Sequence, residues 1–209
     1  MPAFKLRAIL FDIGNVLVRV DIARATAGLA ADTTLSPQEI WTALQHDPRW
    51  RDWQEGRISP REWHSHVTLR LGGKLHFEEF CAAWNRALSP EPVLADDILA
   101  ELSRRHYRLC VLSNTDPIHV AHMESNFSFL RHFPHRVYSC TARVSKPDPA
   151  IYKEGLGKCG IAAKEALYVD DIPAYVEAAQ GLGMDGIVFS SAEQFQAALR
   201  ARGVVPTIP

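Results

Sequence analysis

Four short stretches carry side chains that can work on a phosphate. Asp12 stands in FDIGNVLV (11–18), where an apolar run ends. Ser113 and Asn114 stand in VLSNT (111–115), Lys146 in SKPDP (145–149), and Asp170 and Asp171 in YVDDIPAYVEAA (168–179). An aspartate can attack phosphorus and form an aspartyl-phosphate, which divides hydrolysis into two steps. The rest of such a transfer is positioning and charge neutralisation. Lys146 can neutralise phosphate oxygens, Ser113 and the amide of Asn114 can donate to them, and the amides of the Gly14–Asn15 turn can form an anion nest. Mg²⁺ takes few carboxylates and keeps several waters. Asp12 with one of Asp170 and Asp171, and a backbone carbonyl between, would suffice. Each stretch alone has a plainer reading: a helix cap, a turn, a loop, or acids serving a helix dipole. Their appearance in this order, one at each of four strand ends, favours the chemical reading.

The elements that must position these residues are legible from patterning. RAILFDIGNVLV opens with an apolar run too rich to alternate, which suits a strand covered on both faces. Similar runs recur at 108–114, 136–140, 166–171 and 185–190. Helical patterns separate them, at Ala95 to Arg105, Pro149 to Cys159 and Ala174 to Leu182, with Gly183 as a stop. Strands alternating with helices imply an α/β protein with a Rossmann-like parallel sheet. In such sheets ligands bind beyond the carboxyl ends of the strands.

One segment breaks the alternation. From about 20 to 90 no strand is expected, and helix starts appear at Ser36-Pro37 and Ser59-Pro60, with a further helix over His76 to Leu88. All five tryptophans lie here. The reading is a helical bundle inserted after the first strand as a cap (20–90), with Ser89-Pro90-Glu91-Pro92 as its return hinge, on a core formed by 1–19 and 91–209. Val204 to Pro209 reads as a tail.

A net charge of −1 over 209 residues argues against a broad nucleic-acid surface. Met1 to Arg7 has no signal-peptide pattern, and no apolar stretch reaches membrane-spanning length. The four cysteines lack metal-type spacing, and reduced thiols in a cytoplasmic protein are expected. The partner expected is a small phosphorylated molecule rather than nucleic acid or membrane, acted on by a monomer or weak homodimer.

With these motifs in place, the sequence resembles the haloacid dehalogenase-like hydrolases over essentially its whole length. FDIGNVLV looks like that family's first motif, VLSNT its second, SKPDP its third and YVDDIPAYVEAA its fourth. The resemblance implies Asp12 as nucleophile, with Ser113 and Lys146 as catalytic partners. It implies phosphate binding by Gly14, Asn15, Ser113, Asn114 and Lys146, and Mg²⁺ held by Asp12, the Gly14 carbonyl and Asp171, with Asp170 behind. Two departures stand out. Gly14 occupies the place of a second aspartate that acts as general acid and base in most phosphatases of the family. The Asp-x-Gly-Asn form resembles a bacterial subgroup that includes sugar-1-phosphate phosphatases. Tyr175 stands where related fourth motifs often carry Asn, which removes a side-chain hydrogen bond expected near the acidic loop.

A positioned acid contributes about 10²–10⁴-fold, so Gly14 implies a slower enzyme or a surrogate. Asp21 is either that surrogate or a helix N-cap, and His119 and His122, after the second strand, are the other candidates. His119 and His122 have i, i+3 spacing, but with no third metal ligand evident they are expected on an exposed helix face. Trp41, Trp50, Trp53, His64 and His66 either line a sugar-sized pocket or pack the insert, and packing is the expectation for each Trp. Arg49 and Arg51 are expected at the surface. The leading function is a Mg²⁺-dependent phosphatase of small metabolites, sugar phosphates among them. The alternatives are a 2-haloacid dehalogenase, which the acidic pair disfavours, and a binding protein that lost turnover with the second aspartate.

Overall fold

The computed structural model describes residues 6–204. The first apolar run forms β1 (Ala8–Phe11), and none of its four residues is exposed. Alternation along a pleated strand sends Ala8 and Leu10 to one face and Ile9 and Phe11 to the other, and the two pairs belong to separate hydrophobic clusters. The other strands are β2 (Val18–Val20), β3 (Leu88–Pro92), β4 (Arg108–Ser113), β5 (His135–Tyr138), β6 (Ala166–Asp170) and β7 (Asp185–Val188). Five of them make a sheet of order β5-β4-β1-β6-β7 in which every neighbouring pair is parallel.

The helices are α1 (Ile22–Ala30), α2 (Pro37–Gln45), α3 (Trp50–Gln54), α4 (Pro60–Leu71), α5 (Phe77–Asn85), α6 (Asp96–Arg104), α7 (Pro117–Asn126), α8 (Ser139–Ala142), α9 (Pro149–Cys159), α10 (Pro173–Gly181) and α11 (Ala192–Ala201). Leu99 and Leu102 of α6 and Phe195 and Leu199 of α11 pack with Ile9 and Phe11. Ile151 and Tyr152 of α9 and Val176 and Ala179 of α10 pack with Leu10. The sheet is therefore covered on both faces, which is why its strands read as continuous apolar runs.

Register places the chemistry. Phe11 sits opposite Val111 of β4 and Val169 of β6. Asp12, Ser113 and Asp170 thus emerge at one edge of the sheet. The chain visits β4 on one side of β1 and β6 on the other, so this edge is a topological switch point.

Helices α1 to α5 build a third core, containing Trp53, Trp63, Trp84 and Phe80. Trp53 and Trp63 stack with ring centroids 5.5 Å apart. Helices α2 and α4 start as expected, each with Pro first and a serine–glutamate capping box, Ser36 with Glu39 and Ser59 with Glu62.

Several sequence expectations need correction. The segment 20–90 is not free of strands at its ends: β2 and β3 pair antiparallel, Val18 with Pro92 and Val20 with Leu88. The expected hinge at 89–92 lies inside β3. Pro90 and Pro92 concealed it, because proline is tolerated where a ribbon leaves one side of the ladder unpaired. The helix expected to reach Leu88 stops at Asn85, and Leu88 opens β3. Likewise the strand expected over 136–140 ends at Tyr138, and Ser139 and Cys140 begin α8. The tail expected from Val204 starts later, since Val204 is buried and bonds the carbonyl of Leu199. Residues 205–209 lie outside the described residues, as do the first five of the Met1–Arg7 stretch. No described helix is long and apolar enough to cross a membrane.

Candidate active site

Lys146 is the centre of the strand-end cluster. Its Nζ lies 2.9 Å from Oδ1 of Asp12 and 2.7 Å from Oδ2 of Asp170. The ring of Tyr175 faces the same ammonium at 4.9 Å. The residue that departs from the family pattern thus contributes a cation–π contact in place of an amide hydrogen bond. Asp170 is fully buried and also accepts from the hydroxyl of Tyr168 at 2.5 Å and the amide of Ile172 at 2.8 Å.

The turn after β1 is held by Asn15. Its backbone is left-handed, with φ of 54°, a conformation that asparagine tolerates better than most residues. Its side chain accepts from the amide of Val20 at 3.2 Å and donates to Oδ2 of Asp171 at 3.1 Å. Asn15 therefore joins the turn after β1 to the acidic loop. Asn114 has a comparable task on the other side. Its side chain donates to the carbonyl of Lys146 at 3.1 Å and accepts from its amide at 2.8 Å. The Asn114 side chain is spent on fixing Lys146, so only its backbone remains for a phosphate. Ser113 is buried, and its hydroxyl favours the charged form of Asp12.

Burial pushes the carboxyl of Asp12 up; the nearby ammonium of Lys146 opposes this and Asp170 adds to it, leaving a net rise. Burial also works against the charge of Lys146, but Asp12 and Asp170 outweigh it and hold its pKa above the ordinary lysine value. Oxygens of Asp12, Asp170 and Asp171 all lie within 4.8 Å of one another. Three carboxylates facing one lysine leave an excess of negative charge, and this donor set fits a hard divalent cation.

Beside the cluster is a cavity of about 140 Å³ between the strand ends and helices α1 to α3 and α5. Gly14, Ser113 and Asn114 line one part, and Trp41 and Trp50 another. Those two tryptophans are pocket residues as well as packing ones, whereas Trp53 is wholly core. His64 and His66 stay away from the cavity: His64 bonds the carbonyl of Leu75, and His66 bonds buried Asp47. Arg49 lines a different groove, and Arg51 pairs with Glu55.

His119 corrects the expectation of an exposed helix face. It is 8 % exposed, stacks on Trp84 at 5.4 Å and pairs with Asp116 at 3.1 Å. Its helix is amphipathic only weakly, so patterning could not show which side packs on α5. His122, three residues on, is half-buried and bonded by Asn126. Asp116 itself was missed. Its signal was the Asp-Pro pair: it is the N-cap of α7 and accepts from the amides of Ile118 and His119. Burial opposes the charge of Asp116, yet His119 outweighs it and holds the carboxyl below its usual value; burial likewise opposes the charge on His119, whose pKa Asp116 nonetheless raises. Asp21 is the N-cap of α1, accepting from the amide of Arg24, and does not line the cavity.

Residues 6–183 match the haloacid dehalogenase-like hydrolases. The chain belongs to that family. It is 26 % identical over 192 residues to a D-ribitol-5-phosphate phosphatase of Bacteroides thetaiotaomicron, covering 86 % of this chain and 90 % of that protein. It is 22 % identical over 205 residues to flavin mononucleotide hydrolase 1 of Arabidopsis thaliana, covering 98 % and 81 %. Among solved structures, a family enzyme of Bacteroides thetaiotaomicron in complex with magnesium and inorganic phosphate superposes with a TM-score of 0.82. That match has 27 % identity and covers 93 % of this chain and 100 % of the other. The enzyme class expected from the motifs, a phosphoric monoester hydrolase, is the one these named relatives share.

Proposed function

We propose that this hydrolase is a Mg²⁺-dependent phosphatase of small phosphorylated metabolites, sugar phosphates among them, acting through an aspartyl-phosphate on Asp12. The observation that carries the reading is the convergence of Asp12, Lys146 and the Asp170–Asp171 pair at the switch point of the sheet. A related enzyme with bound magnesium and phosphate supports it.

Asp12, the carbonyl of Gly14 and Asp171 would hold the ion, which when bound polarises phosphoryl oxygens and offsets their charge. The chain's own residues do the remainder. Lys146 favours the ionised form of Asp12 against its burial and presents its ammonium beside the phosphate. Asp170 works from behind, fixing Lys146 rather than binding substrate. The hydroxyl of Ser113 and the amides of Asn15 and Asn114 orient the phosphoryl oxygens. A carboxylate oxygen of Asp12 attacks phosphorus as the bond to the alcohol oxygen breaks, and the departing alkoxide takes its proton from water. Water then attacks the acyl phosphate, releasing phosphate and restoring the carboxylate. Helices α1 to α5, entered and left through the β2–β3 ribbon, act as the cap over this site, so the core comprises 1–19 and 91–209. The four cysteines are free, which supports a cytoplasmic setting, and we take the working form to be a monomer or weak homodimer.

Dehalogenation finds less support. The likeness to L-2-haloacid dehalogenase of Xanthobacter autotrophicus, at 21 % identity and a TM-score of 0.63, is one of fold, and the excess acidic charge would repel a carboxylate substrate. The deciding experiment is hydrolysis of 4-nitrophenyl phosphate and acetyl phosphate with Mg²⁺, after exhaustive chelation, and in Asp12→Asn. Turnover that needs Mg²⁺ and vanishes in the variant is expected. Full activity after chelation, or in Asp12→Asn, sinks the assignment, and absence of any turnover favours the binding-protein alternative.

A further inference from the structure

The cavity says what kind of alcohol the phosphate is attached to. At about 140 Å³ it falls below the roughly 300 Å³ of ordinary small-molecule pockets, so an alcohol portion held in it is small. Its apolar wall includes Ile22, Trp41, Trp50, Trp84, Leu88 and Met123. Trp50 stands edge-on to Trp41 at 5.8 Å and to Trp84 at 6.2 Å. The indoles thus form a connected aromatic surface facing the leaving-group side.

The charges on this wall are already satisfied. Asp116 and His119 are the ionisable side chains among the described lining residues, and they pair with each other. Asp116 also accepts from Nε1 of Trp84 at 2.9 Å and from the amides of Ile118 and His119. The second ring nitrogen of His119 meets the carbonyl of Trp84 at 3.2 Å. Neither group has capacity left for a ligand. Arg49, Arg57 and Arg61 of the helical segment line another groove, and Lys146 is held by two carboxylates. A second anionic group on the substrate would be taken out of water with no cation to meet it, which is costly. Gln54 also lines the cavity, half-buried; its backbone carbonyl accepts from Ser139, and among the described residues its side chain makes no hydrogen bond.

Building on the phosphatase reading, we propose that the substrate is the monophosphate of a small uncharged alcohol with an apolar face, the phosphate being its single anionic group, and that Gln54 hydrogen-bonds the alcohol portion. Hydrolysis then yields a neutral alcohol and inorganic phosphate.

Matched pairs test this: glycerol 3-phosphate against 3-phosphoglycerate, and phenyl phosphate against 4-carboxyphenyl phosphate. The uncharged member of each pair is expected to have a kcat/KM at least about 100-fold higher, and the better pair tells a polyol from an aromatic alcohol. Gln54→Lys, which places a cation on the wall, is expected to narrow the ratio at least tenfold. Calorimetric binding of the corresponding phosphonates needs no turnover and should follow the same order. Equal or preferred binding of the carboxylated members overturns the proposal, as does a ratio unmoved in folded Gln54→Lys. Retained binding order with no hydrolysis of any ester would instead refute the phosphatase reading and leave the binding preference standing.

Discussion

Restoring the missing acid by Gly14→Asp is the most informative perturbation of this site. The glycine is not held in a left-handed conformation; the residue there that is left-handed is Asn15. A Cβ on Gly14 would lie 3.5 Å from Cγ2 of Val20 and 3.7 Å from Oδ2 of Asp12, both ordinary contacts. A side chain can therefore start there without a clash, and it starts beside Asp12. Two like charges about 5 Å apart at an effective dielectric near 20 repel by roughly 3 kcal/mol, or about two pKa units. That lifts the new acid from about 3.9 toward about 6, into the range useful for proton donation near neutrality. Loss of glycine's freedom in the unfolded chain returns about 0.4–1 kcal/mol, so the net stability cost is at most about 2–3 kcal/mol. The assay is kcat/KM across phosphate esters of graded leaving-group pKa. Steep dependence is expected in the natural enzyme. In Gly14→Asp the poorest leaving groups should gain about 10²-fold or more, while activated esters change little. Asp21 is a helix cap outside the cavity, so Asp21→Asn should leave the slope as it is. A flat dependence in the natural enzyme, or a uniform loss across the series in a folded Gly14→Asp, would refute the reasoning.

Asp12→Asn should fold normally, because Lys146 keeps Asp170 as partner, and should lose more than about 10⁴-fold in kcat; native circular dichroism with residual activity above that level would contradict the nucleophile assignment. Gly56 has φ of +63°, and a Cβ there would come 2.1 Å from the carbonyl oxygen of Cys140. Gly56→Ala should therefore cost about 3 kcal/mol, visible as a Tm lowered by about 6–12 °C, and an unchanged Tm would show that the 54–57 loop does not dock on α8 as described. The buried Asp116–His119 pair makes stability depend on pH from both sides. The raised pKa of His119 means its contribution is full below its unfolded value and is lost as pH rises through the folded one, whereas the lowered pKa of Asp116 means its contribution is lost as pH falls through that value. Relative to His119→Gln, the natural protein should lose Tm on the alkaline side, and parallel pH–Tm curves would rule the pair out as the cause.

The sheet was legible in the sequence because burial on both faces leaves nothing to alternate. Ala8–Phe11, Arg108–Ser113 and Ala166–Asp170 read as apolar runs, and the residue following each run marks an edge. Parallel strands present their carboxyl ends at one edge of a sheet, so Asp12, Ser113, Lys146 and Asp170 could be gathered at one place from the sequence, whereas the strand order came with the fold. Helix starts in the insert were equally plain, since serine, proline and glutamate at fixed spacing satisfy free backbone amides locally. What escaped was decided by contacts between distant segments. Whether Pro90 and Pro92 lie in a hinge or a strand depends on Val18 and Val20 arriving alongside. Whether His119 faces water depends on Trp84, 35 residues earlier, laying its ring against it. The side chain of Asn114 finds its task only when Lys146 comes within reach of both its ends. Local sequence fixes which backbone groups need partners and which faces are apolar, while the choice among distant partners is made only when the whole chain has packed.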